Sequence, residues 1–82
     1  MPRGKFAPDL GLPIALERAT PTPLHQQLGE QLRRAILGGR LSSGTRLPST
    51  RTFARALGVS RIVTSSAYGE VFAEGYMEGR HG

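Results

Sequence analysis

Residues 47–61 read L-P-S-T-R-T-F-A-R-A-L-G-V-S-R, and the fold follows from them. Ser49 offers a hydroxyl to the free amides of a first helical turn and reads as an N-cap. Phe53, Ala54 and Leu57 then form one apolar face of a short helix over 50–57. Gly58 is its stop. After Gly58 and Val59 comes Ser60, a second N-cap, and a helix over about 61–74. Thr64, Ala67, Tyr68, Val71 and Gly75 lie on one side of that helix. The other side holds Ile62, Ser65, Ser66 and Gly69, flanked by Arg61 and Val63. Two short helices joined by a tight glycine-containing turn make a helix-turn-helix.

Upstream lies a turn-rich connector, residues 40–48, in which Thr45-Arg46-Leu47 suits a very short strand. Before it, Leu24, Leu28, Leu32, Ala35 and Ile36 recur at spacings of three or four and predict a helix over about 23–37. Thr22 is its expected N-cap, and Pro23 suits the first helical position, where no N–H is needed. Gly38-Gly39 ends it. Gly29 sits mid-helix at a cost of about 1 kcal/mol relative to Ala; close packing and simple tolerance both account for it. Residues 1–20 form a Pro- and Gly-containing arm with no helical period, and 21–82 form the domain proper. Within the arm, residues 13–18 suit a short edge strand. Downstream, Tyr76-Met77-Glu78 alternates like a strand and is followed by Gly79-Arg80-His81-Gly82, as in a hairpin cut at its turn. The expected core is Leu28, Leu32, Ile36, Leu47, Phe53, Leu57, Val59, Tyr68, Val71 and Tyr76.

The whole chain has 82 residues, which bounds it to one small domain. It contains no cysteine, so disulfides and thiolate metal sites are excluded. Nothing in it resembles a membrane span or a signal peptide, so a cytoplasmic setting without a membrane partner is expected. Eleven Lys and Arg against six Asp and Glu leave a net charge of +5, which points to a polyanion. The distribution sharpens this. Between residues 40 and 66 lie Arg40, Arg46, Arg51, Arg55 and Arg61, and no acid. A helix N-terminus presents free N–H groups and partial positive charge to a phosphate. A small-residue helix face enters the major groove, about 12 Å wide, without steric cost. Three to five phosphate contacts, each adding roughly 0.9 to the log–log salt slope, would hold one copy weakly, so a homodimer is expected in use.

The L-P-S-T-R and G-V-S-R elements, the Ala67-Tyr68 pair and A-E-G-Y-M-E-G-R at 73–80 together resemble the winged helix-turn-helix reader of GntR-family bacterial transcription regulators. The run T-P-L-H-Q-Q-L-G-E-Q-L-R-R-A-I-L-G-G-R-L at 22–41 is similar to the MocR, or PdxR-like, branch. The match covers residues 20–82. It implies a mainly α (α+β) fold, three helices with a small β-hairpin wing that is cut short here. It implies binding of a double-stranded DNA operator, with Arg51 on the backbone. Ser60, Arg61, Ile62, Val63 and Ser65 would form the leading edge of the recognition helix. Arg80, His81 and Gly82 would occupy the wing tip toward the minor groove. Arg46 and Ser49, beside the second helix, complete the candidate DNA contacts. In that branch such a reader precedes a large domain shaped like a fold-type I aminotransferase. Pyridoxal phosphate is therefore implied for that domain, which these residues do not include, and no cofactor is expected in this chain.

Two departures from the family pattern carry structural consequences. The family reads S-R-x-T-V where this chain has Ser60-Arg61-Ile62-Val63-Thr64. Thr64 thus stands where a core Val is usual. Val63 either makes an apolar contact, such as to a thymine methyl, or signals different local packing. The usual aromatic of the first helix is also missing, and Gly29 stands near its place.

Catalysis is not expected. His25 and His81 lie far apart, with His25 a polar helix-surface residue. No carboxylate pair, Ser-His-acid set or phosphate loop is present, and Lys5 sits in the arm with no pocket to desolvate it. The five aromatics give little support to single-strand stacking. The alternatives to sequence-specific reading are a winged helix that docks an acidic protein, a charge-driven nonspecific nucleic-acid binder, and a regulatory appendage of a pyridoxal-phosphate enzyme.

Overall fold

Tyr68 and Phe53, both fully buried, pack at the centre of the molecule with ring centroids 5.8 Å apart, and Phe72 adds a third ring 5.9 Å from Tyr68. The computed structural model describes residues 5–6, 13–41 and 47–73. Its elements are β1 (Lys5–Phe6), β2 (Pro13–Ile14), α1 (Leu24–Leu37), α2 (Thr50–Leu57) and α3 (Arg61–Ala73). Helix α3 packs on both α1 and α2, so it is the element on which the rest is assembled.

On α1, Leu28, Leu32 and Ala35 are buried along one stripe, and Leu24 and Ile36 flank it half-buried. Each leucine removed from water in this way stabilises the fold by roughly 1.5–3 kcal/mol. The helix starts at Leu24, one residue later than its sequence suggests, and Thr22 is not the cap. Pro23 precedes it with ψ 147° and no side-chain cap bond. The physical reason lies in Pro23 itself: its backbone is extended and its carbonyl accepts the first helical bond, so it takes the N-cap place one residue later, where it has no side-chain oxygen to accept from a first-turn amide. Gln27 ties the entering chain to the helix instead: its Nε2 donates to the Thr22 carbonyl at 2.8 Å.

Both α1 and α2 end on the same device. Arg40 donates to the Ala35 carbonyl and Gly39 to Ile36, with Gly39 at φ +80°. Val59 donates to Ala54 and Gly58 to Arg55, with Gly58 at φ +72°. A side chain at either position would strain the left-handed backbone, which is why glycine closes each helix. The first turn-back delivers Leu41 into the core, and Leu47 re-enters it after the connector.

The buried cluster contains Leu28, Leu32, Leu47, Phe53, Leu57, Tyr68 and Val71 as expected. Ile36 and Val59 pack against it from its edge instead, half-buried, because each sits at the margin of its element. Tyr76 lies outside the described residues, as do the Thr45-Arg46 part of the short connector strand and the Tyr76-Met77-Glu78 strand. The cluster also holds Ile14, 2% exposed, for which the Pro-flanked arm carries no periodic signal. Pro13–Ile14 pairs antiparallel with Lys5–Phe6, with Lys5 opposite Ile14 and Phe6 opposite Pro13. Proline, lacking an N–H, is tolerated in so short and edge-like a pairing.

Gly29 faces α3, and the end of the flexible Glu70 side chain occupies the space beside it. It is buried, and a β-carbon built there would lie 2.7 Å from Oε1 of Glu70. The same carboxylate places Oε2 2.8 Å from Nδ1 of His25, which therefore bridges α1 to α3 from a half-exposed position. The absence of an aromatic near Gly29 is thus matched by a glutamate laid across α1.

Candidate nucleic-acid interface

The N-terminus of α2 is built as the sequence predicts. Ser49 has extended backbone, and its Oγ accepts from the Thr52 amide at 3.1 Å while donating to Thr52 Oγ1 at 2.9 Å. The cap leaves first-turn amides and partial positive charge directed outward. Arg51 projects from this turn, exposed, and Arg55 follows one turn later, also exposed.

Two polar groups on the buried flank of α3 fix that end of α2. Thr64, fully buried, shares its hydroxyl proton between the Thr50 carbonyl at 2.9 Å and the Arg61 carbonyl at 3.0 Å. Tyr68 donates to the Pro48 carbonyl at 2.6 Å. Burial pushes the Tyr68 phenol well above its usual range, so it stays a protonated donor. These bonds grip the backbone immediately on either side of Ser49. They set the α2 N-terminus against α3 without using its outer flank. Thr64 in place of the usual core valine is thereby accounted for: its hydroxyl is satisfied, and a buried hydroxyl without a partner would cost about 1–3 kcal/mol.

The outer flank of α3 is open. Ser60 and Arg61 are exposed at its start, and Val63 donates its amide to the Ser60 carbonyl at 3.1 Å. Ile62 is 75% exposed, which is unusual for a large aliphatic side chain. Ser65 and Gly69 are exposed and Ser66 is half-buried. Val63 is the exception within the leading edge. It is half-buried and packs against the core, beside the fully buried Thr64. Arg46, Arg80, His81 and Gly82 lie outside the described residues.

Charge is divided across the molecule. Arg51, Arg55 and Arg61 are exposed on α2 and α3. The acids of the helices lie on the α1 side: Glu30 pairs with Arg34 at 3.0 Å, and Glu70 turns toward His25. An anion approaching the outer flank of α3 therefore meets guanidinium groups, hydroxyls and one aliphatic side chain. Among the described residues no group of His, Asp and Glu is arranged to hold a metal ion. Among them, too, no helix is long and apolar enough to cross a membrane.

One long-range contact to this region comes from outside every motif of the sequence. Arg18 of the arm reaches the α2–α3 turn, where its Nη2 donates to the Gly58 carbonyl. Its sequence neighbourhood carries no local signal of this, because the two residues are 40 positions apart.

Comparison with known proteins agrees with this geometry. Residues 24–82 match the family model described as bacterial regulatory proteins, gntR family. The chain is 48% identical over 69 residues to the "Probable rhizopine catabolism regulatory protein MocR" of Rhizobium meliloti, covering 84% of this chain and 14% of that protein. It is 44% identical over 71 residues to the pyridoxine biosynthesis transcriptional regulator PdxR of Corynebacterium glutamicum, covering 87% of this chain and 16% of that one. The chain thus spans about one seventh of the length of these relatives. Among solved structures it is similar to YtrA from Sulfolobus acidocaldarius, a GntR-family transcription factor. The TM-score is 0.72 at 34% identity, over 76% of this chain and 66% of that one. The three helices accordingly match a GntR-family winged helix-turn-helix; the wing expected from the sequence lies outside the described residues. By the extent of the family match and by the fold it shares with a solved member, this chain belongs to the GntR family of bacterial regulatory proteins.

Proposed function

We propose that this chain is the sequence-specific reader of a bacterial transcription regulator, and that α3 enters the major groove of duplex DNA. The observation that carries this is the outer flank of α3. Ile62 and Ser65 stand exposed beside Arg61, while Thr64 and Tyr68 of the same helix anchor the arginine-bearing start of α2. In this arrangement Arg61 and Ser65 address base edges and Ile62 offers an apolar surface to a thymine methyl. Arg51 and the first-turn amides of α2 hold a phosphate. Arg46, Arg80, His81 and Gly82 extend the interface through the connector and the wing.

The regulator acts as a homodimer in the cytoplasm, each copy taking one half-site. The small number of phosphates within reach of a single copy supports this. Where an aminotransferase-like domain accompanies such a reader, pyridoxal phosphate would bind that domain and not these residues. It takes no part in the contacts with DNA, and the reader itself is not catalytic.

The test is selection of a duplex from a random library, followed by titration of the full chain against the selected and a scrambled duplex over a range of salt. Specific reading gives the selected duplex an advantage of about a thousandfold or more. Near-equal affinity for both would assign the chain to charge-driven binding. No measurable affinity for either would assign the outer flank to a protein partner.

A further inference from the structure

Residues 15–18 are built onto the helices by a regular set of hydrogen bonds. Ala15 donates its amide to Gln31 Oε1 at 3.0 Å and accepts from Gln31 Nε2 at its carbonyl. Glu17 donates to Gln27 Oε1 at 2.8 Å and accepts from Gln27 Nε2 at 2.9 Å. Two residues of extended chain advance about 6.6 Å, and four residues of helix advance about 6.0 Å. The amides of Gln27 and Gln31 therefore meet alternate residues of the arm as the edge of a strand would. On the inner side of this ladder Ile14 is buried and Leu16 is packed against the core.

The registration ends at Arg18, on the Gly58 carbonyl of the turn. Gly58 stands two residues before Ser60, at most about 7–8 Å away along the backbone. A guanidinium carries five N–H donors in a planar fork. Among the described residues Gly58 takes one of them, and Arg18 is otherwise exposed. This places a cation beside the start of the recognition helix, where the wall of the major groove would run. A planar fork matches a phosphate there better than a point charge does.

We propose that Arg18 is a phosphate-contacting residue of the DNA interface, and that Gln27 and Gln31 are its positioning residues. This rests on the DNA-reading function above. Neither the composition of the arm nor the family motifs assigns it.

The experiment measures log affinity against log salt for the full chain on a mixed-sequence duplex of about two helical turns. Arg18→Ala is expected to make the slope shallower by about 0.9, which is about eightfold weaker binding near 0.1 M salt. Arg18→Gln keeps a donor for Gly58 without the charge and should lose the same slope, with thermal melting as the check on folding. Arg18→Lys should retain the slope. The double variant Gln27→Ala/Gln31→Ala should lower the slope as Arg18→Ala does, and combining all three should lower it no further. A slope unchanged in Arg18→Gln, with weaker binding or a lower melting temperature, would make Arg18 a brace of the turn and overturn the proposal. Additive losses would overturn the role given to Gln27 and Gln31. If the native chain itself fails to bind the duplex, the DNA-reading function fails first and this proposal with it, a result distinct from the others.

Discussion

The two flanks of α3 share one backbone and obey opposite rules. Thr64, Ala67, Tyr68 and Val71 are buried and face α1 and α2. Arg61, Ile62, Ser65 and Gly69 face outward. The inner flank carries the helix's large volume and its satisfied polar groups, and its hydroxyls reach the Thr50 and Pro48 carbonyls. The outer flank carries small side chains, one cation and one exposed isoleucine. A helix whose only task is packing keeps its bulk inside and its charges outside. Here the outside is neither charged throughout nor filled, which is the surface a groove lined with base edges requires.

Substitutions that touch one flank and spare the other test this contrast. The largest effect is expected from Leu28→Ala, which removes support for the inner flank from α1. It should lower unfolding free energy by about 2–5 kcal/mol, read by denaturant titration, and unchanged melting would show that α3 is supported elsewhere. Next come the outer arginines. Arg61→Ala should weaken binding to a selected operator by about 1–3 kcal/mol and relax preference at one base pair. Arg51→Ala should weaken all duplexes alike, and neither should shift the melting temperature. Equal and negligible effects would break the assignment of the outer flank to DNA. Ser49→Ala, at the cap that the inner flank positions, should cost about 1 kcal/mol of stability. The smallest effect is Ile62→Ala, whose side chain is already in water; stability should change by no more than about 0.5 kcal/mol. A larger drop in chemical denaturation would mean that Ile62 is covered and that the flanks are less distinct.

A second contrast separates the helix-turn-helix from the arm. In the former, caps, glycine stops and apolar periods lie within four residues of what they control. Helix α2 accordingly runs from Thr50 to Leu57 with Ser49 and Gly58 at its ends, as residues 47–61 require. The start of α1 falls one residue beyond its expected place, because Pro23, suited to a first helical position, here keeps extended backbone and becomes the cap. The arm carries no such local signals. Ile14 among prolines gives no period, yet it is part of the core.

The candidate site divides in the same way. Ser49, Arg51, Ser60, Arg61, Ile62 and Ser65 are legible because each has a fixed place on a short helix or its cap. The inward packing of Val63 is open in the sequence and depends on its neighbours across the core. Arg18 is not legible, since its partner is a carbonyl brought to it by the α2–α3 turn.

Local sequence is enough to say where the helices stop, which flank of α3 is small and nearly uncharged, and where the arginines gather. Each of these is a property of residues close together along the chain, set by backbone conformation and side-chain period. Folding in three dimensions was needed for the rest: Gly29 makes room for Glu70, Thr64 and Tyr68 hold the start of α2, and Gln27 and Gln31 carry Arg18 to the turn. Those are contacts between distant groups, and a polar atom finds such a partner only after the core has fixed which backbones lie within about 3 Å of it.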